Sequence, residues 1–222
     1  SKIVALVVIA VVVQLLYAGF VRPAAEQFVA EQSAIAAREP GYIPQRSIWV
    51  IIQNGEQQAT IVVTIWALLL AAMRFRELKI QRELLGAGYM QRGTGTVILP
   101  DDAREYLRTF EQLPVQERNS VLPRVLAAAL KRFGATGNAQ DASQTVHNTC
   151  ESEYNRLDAE LAILRFAVWV TPAIGFIGTV RGIGQALAQA HRAVEGDILG
   201  VTVNLGVAFN STFVALVASI LV

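Results

Sequence analysis

The sequence predicts an all-α membrane protein: four transmembrane helices, with long helices extending into a cytoplasmic helical domain. Three observations predict it. Hydrophobic residues make up 53% of the 222 residues and charged ones only 17%, below the roughly 25% charged of soluble domains. The charges are segregated, since 13 of the 19 Lys/Arg and 12 of the 18 Asp/Glu fall between Arg74 and Arg165. Outside that interval the chain consists mainly of apolar runs long enough, or nearly so, to cross a hydrocarbon core. A net charge of +1, with no basic patch interleaved with aromatics, gives no argument for nucleic acid. A single cysteine, Cys150, excludes an intrachain disulfide.

The first span is expected over residues 1–21. Ile3 to Val21 is an almost unbroken apolar run, longer than the apolar region of a signal peptide and without a good small-residue cleavage site after it. Residues 22–57 read as an external connection. Within it Ala24 to Ala37 forms an amphipathic helix, and Pro40-Gly41 and Pro44 break the chain. Ser47 to Ile52, with Trp49, is too short to span and reads as interfacial or packed on the next helix. The second span covers 58–76. Its apolar part, Ala59 to Met73, is short, so the flanking Gln57, Gln58 and Arg74 belong at the headgroups. Arg74, Arg76, Lys79 and Arg82 come closely after it, whereas three arginines are spread over the first connection. The positive-inside rule therefore places Arg74 and Ser1 in the cytoplasm.

Residues 77–165 form the cytoplasmic helical domain. Arg74 to Leu85 continues the second span as a solvated helix. Gly86 to Pro100 is a loop with an extended piece at Thr96 to Leu99, and Pro100-Asp101-Asp102 starts the next helix with acidic residues at its positive end. Pro114 and Pro123 punctuate the helices after it, and Gly134 to Gly137 closes that region. From about Ala139 the apolar positions Val146, Cys150, Tyr154, Leu157, Leu161 and Leu164 recur at steps of 3 and 4, one sustained helical stripe. No breaker intervenes before Pro172, so a single long helix is expected to enter the membrane. The third span covers 166–187, 188–197 is an external loop, and 198–222 is the fourth span. The chain stops inside that apolar run, so a further C-terminal tail is expected.

The third and fourth spans carry the chemistry. Gly175, Gly178 and Gly182 fall at i, i+3 and i+7 and share one helix face, a surface on which another helix backbone can lie closely. Thr179 lies beside them, Thr171 two turns before it, and Ser211 and Thr212 on the fourth span. Counted from the outer helix ends at about 1.5 Å per residue, Thr179 lies roughly 12 Å deep and Thr212 roughly 21 Å. The two hydroxyls would then form successive layers along an ion path. The structural alternative is that such hydroxyls bond their own i−4 carbonyls and the glycines serve packing alone. No Asp or Glu falls within the four expected spans. A proton relay needs a titratable group near mid-membrane, so on this reading a second chain must supply it.

The run Pro172 to Gly184, with its core Gly178-Thr179-Val180-Arg181-Gly182-Ile183, resembles the third-helix signature of the MotA/TolQ/ExbB proton-channel family. The alanine-rich run Phe209 to Ile220, with Thr212 at the central threonine, resembles its fourth helix. The resemblance covers residues 139–222 in sequence and the first 138 in layout only. Asn204 to Ser219 also resembles the larger, long-tailed ZorA-like members. The resemblance implies a bacterial inner-membrane protein, not an enzyme. It would form a homopentamer around two copies of a single-span MotB/ExbD/TolR-like partner that carries an intramembrane Asp. Thr179 and Thr212, with Ser211 and Thr171, would line a path for H+ or Na+, while Pro172 and the three glycines pack the helices. Ion flow would then turn the assembly and do mechanical work. Arg181 stands where ExbB and TolQ have an aromatic. It reads either as an outer-gate charge facing Glu195 or Asp197, or as a snorkelling or ion-paired residue.

Other patterns carry little. His147 and Cys150 with Glu151 make a thin metal pattern, and no metal is expected. His191 lies in the outer loop. Gly93-x-Gly95 lacks the later glycine of a dinucleotide loop, because position 98 is Ile. The alternative to a channel is a helical membrane scaffold whose glycine face serves only oligomerisation.

Overall fold

In the computed structural model residues 2–36, 38, 47–86, 99–194 and 198–222 are described, and among them every regular element is helical. The expected breaks at Pro40-Gly41 and Pro44, most of the 86–100 loop, and Glu195 and Asp197 lie outside the described residues. The chain divides into two units, residues 1–71 with 163–222, and residues 72–162. Among the described residues four helical stretches are long and apolar enough to cross a membrane: Lys2–Ile35, Gly55–Leu85, Ala139–Ala188 and Gly200–Leu221.

The first unit opens with α1 (Lys2–Leu16), which runs through a π-helical turn (Tyr17–Val21) into α2 (Arg22–Ala36). The helix thus passes through Arg22, where the sequence alone suggested a connection. Pro23 explains the wide turn. It has no N–H to bond back to Gly19, and its ring would press on the carbonyl four residues earlier. Widening the preceding turn, so that the Arg22 N–H donates to the Tyr17 carbonyl, accommodates the proline without ending the helix. Val13, Tyr17 and Val21 are buried there, with Ile9, Ile52, Ile61 and Val62 against them. The short α3 (Ile48–Ile52), capped by Ser47, carries the apolar hexamer and packs on α2 and α10 (Leu199–Leu221).

α4 (Gly55–Leu85) and α8 (Ala139–Ala188) each contribute residues to both units. α8 is a continuous 50-residue helix that contains Pro172. The proline leaves the Val168 carbonyl without its usual N–H donor. Ser219 Oγ on α10 donates to that carbonyl at 3.3 Å, so the breaker is compensated from the neighbouring helix. Between α8 and α10 lies a short α9 (Ala190–Val194).

In the second unit α5 (Asp102–Glu111) packs against α7 (Val121–Thr136), with a single turn, α6 (Val115–Arg118), between them. Ala103, Phe110 and Leu130 form its core, flanked by Tyr106, Leu107, Leu113, Leu126 and Phe133. α7 ends at Gly137, whose φ of 64° is the left-handed cap conformation and whose N–H donates to the Phe133 carbonyl at 2.8 Å. Asn138 then caps α8, its Oδ1 accepting from the Gln140 N–H at 2.9 Å. Glu153 is buried between Arg124 at 2.7 Å and Arg156 at 2.8 Å, and Arg74 reaches Glu160 at 2.6 Å.

The long stripe on α8 is not part of this core, and Val146, Leu157 and Leu164 in it are only half-buried. Cys150, Tyr154 and Leu161 are exposed, and the buried position of that stretch is Glu153. Periodicity identified a face correctly but not its cover. The placement of Cys150 on an apolar stripe therefore does not make it a core residue.

Candidate functional site

The site is a small-residue and polar interior between α4, α8 and α10. Three sets of residues with the same i, i+3, i+7 spacing are buried on these helices. From α8 come Gly175, Gly178 and Gly182, all buried. From α10 come Ala208, Ser211 and Ala215, also buried. From α4 come Gln57, Thr60 and Thr64. This spacing keeps each set on one side of its helix.

The glycines leave no room for side chains against α10. A Cβ on Gly182 would lie 2.8 Å from the backbone nitrogen of Ala208, and one on Gly178 would lie 2.5 Å from Ser211 Cβ. A Cβ on Gly175 would collide with Ala215 Cβ. At Gly182 the obstacle is main chain, which no rotamer change relieves.

This close approach brings the hydroxyls together. Thr179 Oγ1 is in hydrogen-bonding contact with Thr212 Oγ1. It also lies 3.1 Å from the Gly175 carbonyl on its own helix and 3.2 Å from the Ala208 carbonyl on α10. The two threonines therefore form one layer, not the two layers that counting from the helix ends implied. That count assumed the ends of α8 and α10 to be level. Contact between residues 179 and 212 requires α10 to begin about one helical turn further out than α8 ends.

Ser211 belongs to the same layer. Its hydroxyl donates to the Val207 carbonyl at 3.0 Å and accepts from Gln57 Nε2 at 3.0 Å. Thr171 is fully buried but its hydroxyl is spent on the Ala167 carbonyl at 2.7 Å. Thr179, Ser211 and Thr212 are thus brought together, and Thr171 stands apart. Pro172, one residue on, is held through the Ser219 contact with the Val168 carbonyl.

Arg181 is paired. Its Nε donates to Glu56 Oε1 at 2.8 Å, while its side chain remains 43% exposed and that of Glu56 only 12%. Glu56 is the second residue of α4. Hydropathy alone misses it because it places the start of the span at residue 58, two positions too late. Gln57, 1% exposed, falls to the headgroups for the same reason. The signal that could have found Gln57 was present in Gln57, Thr60 and Thr64, whose spacing repeats that of the three glycines, and nothing comparable marks Glu56.

Two buried acceptors of this region have no hydrogen-bond partner among the described residues, Glu56 Oε2 and Gln57 Oε1. The Glu56 side chain also lies against the glycine face. A Cβ on Gly178 would sit 3.3 Å from Glu56 Cγ and 2.6 Å from Ser211 Oγ. Chemically the site offers neutral hydroxyls, one carboxylate half-satisfied by an arginine, and a side-chain amide oxygen. That set suits the transfer of a proton or small cation between oxygens. Among the described residues no group of three His, Cys, Asp or Glu could hold a metal.

No curated protein and no solved structure matches the chain. A family model does match, over residues 117–222, which include α8, α10 and the Thr179–Thr212 layer but not Glu56 or Gln57. That model describes the MotA/TolQ/ExbB proton channel family, to which residues 117–222 are similar.

Proposed function

We propose that this chain is the channel-forming subunit of an ion-driven motor or energiser complex, and that Thr179 and Thr212 lie on its ion path. The observation that carries the reading is the contact of these two hydroxyls across the glycine face, inside the segment matched by the family model. In this reading a homopentamer surrounds two helices of a MotB/ExbD/TolR-like partner, whose intramembrane Asp accepts the ion opposite the threonine layer. The membrane potential supplies about 2.3 kcal/mol per charge per 100 mV, enough for stepwise rotation. Outward-facing apolar residues on α8, Cys150, Tyr154 and Leu161 among them, support association with further copies or partners, since an apolar stripe on a polar unit calls for a cover. The chain would sit in a bacterial inner membrane with Ser1 and residues 77–165 in the cytoplasm, conducting H+ in preference to Na+.

The competing reading is a membrane scaffold. It draws support from the hydroxyls of Thr171, Thr179 and Ser211, each within hydrogen-bonding distance of its i−4 carbonyl, as structural hydroxyls are. Reconstitution separates the two. The chain, co-purified with the single-span partner encoded beside it, is placed in liposomes under an imposed potential. Thr179→Ala and Thr212→Ala should each abolish ion flux while the complex still elutes intact. Flux at the wild-type rate in both variants would remove these residues from the path, and an inert wild-type complex would favour the scaffold.

A further inference from the structure

The channel reading leaves one carboxylate unused. We propose that Glu56 is a proton-accepting group supplied by this chain itself, at the α9 end of the Thr179–Ser211–Thr212 layer. The proposal rests on the channel reading and extends it, because the acidic group need not come from the partner alone.

Three independent features point to Glu56. Its side chain is withdrawn from solvent yet only one oxygen is satisfied, by Arg181 at 2.8 Å, while Oε2 is buried without a partner among the described residues. Leaving a charged acceptor buried and unpaired is costly, and the cost is relieved when that oxygen takes up a proton. Next, the adjoining Gln57 is almost fully buried with Nε2 on Ser211 and Oε1 unpartnered among the described residues, so a second acceptor sits next to it in the chain. Last, Glu56 Cγ and Ser211 Oγ crowd the same point over Gly178, the residue preceding Thr179. A structural ion pair on a membrane helix end would need none of these.

Few charges surround the group. From α8 the facing charge is Arg181. α10 carries no titratable side chain at all. On α2, Arg22 is engaged with Gln58 Oε1 at 3.3 Å, and in the π-helical turn before it Tyr17 is buried in the Val13–Val21 cluster. In the step proposed, hydronium transfers a proton to Glu56 Oε2 and leaves as water. The neutral carboxyl loosens its hold on Arg181, and the proton passes through the hydroxyl layer, each hydroxyl accepting one proton as it releases its own, to the carboxylate of the partner's intramembrane Asp, which regenerates the Glu56 carboxylate. Arg181 acts here as a positioning residue, holding Oε1 and aiming Oε2 inward.

The test uses the complete complex in proteoliposomes, with proton influx measured at fixed potential while pH is varied on the α9 side. Glu56→Gln should assemble, lose about tenfold or more of the flux, and lose the dependence on that pH. Arg181→Gln, which removes the group that holds Oε1, should lower the flux less than Glu56→Gln does. Glu56→Asp, which keeps the charge but shortens the reach, should conduct with a displaced profile, and it decides the matter if Glu56→Gln does not assemble. Wild-type flux in Glu56→Gln would overturn the proposal. So would equal losses in Glu56→Gln and Arg181→Gln with an unchanged pH profile, or a wild-type profile in Glu56→Asp. A wild-type complex that conducts nothing would instead overturn the channel reading, and this proposal with it.

Discussion

The two units of the chain are built by opposite rules. In residues 72–162 large apolar side chains are inside, with Phe110 and Leu130 buried between α5 and α7. In residues 1–71 and 163–222 many of them are outside. Phe176, Ile177, Val180, Phe209 and Phe213 are all exposed, and what α8 and α10 bury between them is glycine, alanine and serine. The difference reflects the surroundings each unit is made for. In water, burial of apolar area drives association. In a bilayer the lipid tails are as apolar as Leu, so helices associate through close packing of small residues and polar contacts. The same inversion makes room for hydroxyls in the interior of the first unit.

The comparison predicts where each unit breaks. Phe110→Ala should cost the second unit about 3–5 kcal/mol, the loss typical of a large buried aromatic. Guanidinium titration of the full chain in detergent, followed through labels in each unit, would show it. An equal response from the label on α10 would mean that the two units unfold as one and are not governed separately. Gly182→Ala should cost the first unit roughly 1–3 kcal/mol, because the added carbon meets Ala208 main chain at 2.8 Å and the helices must separate. The readout is thermal stability in detergent, with Gly184→Ala as control. Gly184 has nothing near its Cβ position, and its substitution should be neutral. If the two alanines behave alike, close packing is not what holds α8 to α10.

These contrasts also explain what could be read from the sequence. The four long helices and the glycine face were legible because hydropathy and a 3–4 spacing are properties of the chain alone. Less legible was anything that depends on what lies opposite. The outward turn of Cys150 and Tyr154 could not be seen, since a stripe specifies a face but not its neighbour. The single hydroxyl layer was hidden by helix ends that are not level. Passage through Arg22 and Pro23 depended on a π turn that no propensity signals. Glu56 was excluded by a hydropathy boundary, although a charge can enter the end of a membrane helix when a partner such as Arg181 awaits it.

At the end of α7, Gly137→Ala isolates a smaller effect that the two-rule picture says should be confined to the second unit. Its φ of 64° is a conformation that costs an L-residue about 1–2 kcal/mol. The expected result is a loss of about that size in the stability of residues 72–162, with the Thr179–Thr212 layer and ion flux unchanged. A large loss of flux would show that the effect is not confined to the second unit.

The smallest effect is the most discriminating. Gln57→Leu removes the hydrogen bond to Ser211 from the middle of the first unit, an interaction that would be expected to dominate if polar contacts held this bundle together. Interhelical hydrogen bonds in membranes average about 0.6 kcal/mol. The substitution also eliminates Oε1, a buried acceptor with no partner among the described residues, and that gain opposes the loss. The net change in thermal stability should therefore fall within about 0.6 kcal/mol, below the effect of a single methyl group at Gly182. A loss of more than about 2 kcal/mol, the high end for a buried hydrogen bond, would reverse the ranking. The glycine face would then be permissive only, and the polar column from Gln57 to Ser211 would be what specifies the pairing of α4 with α10.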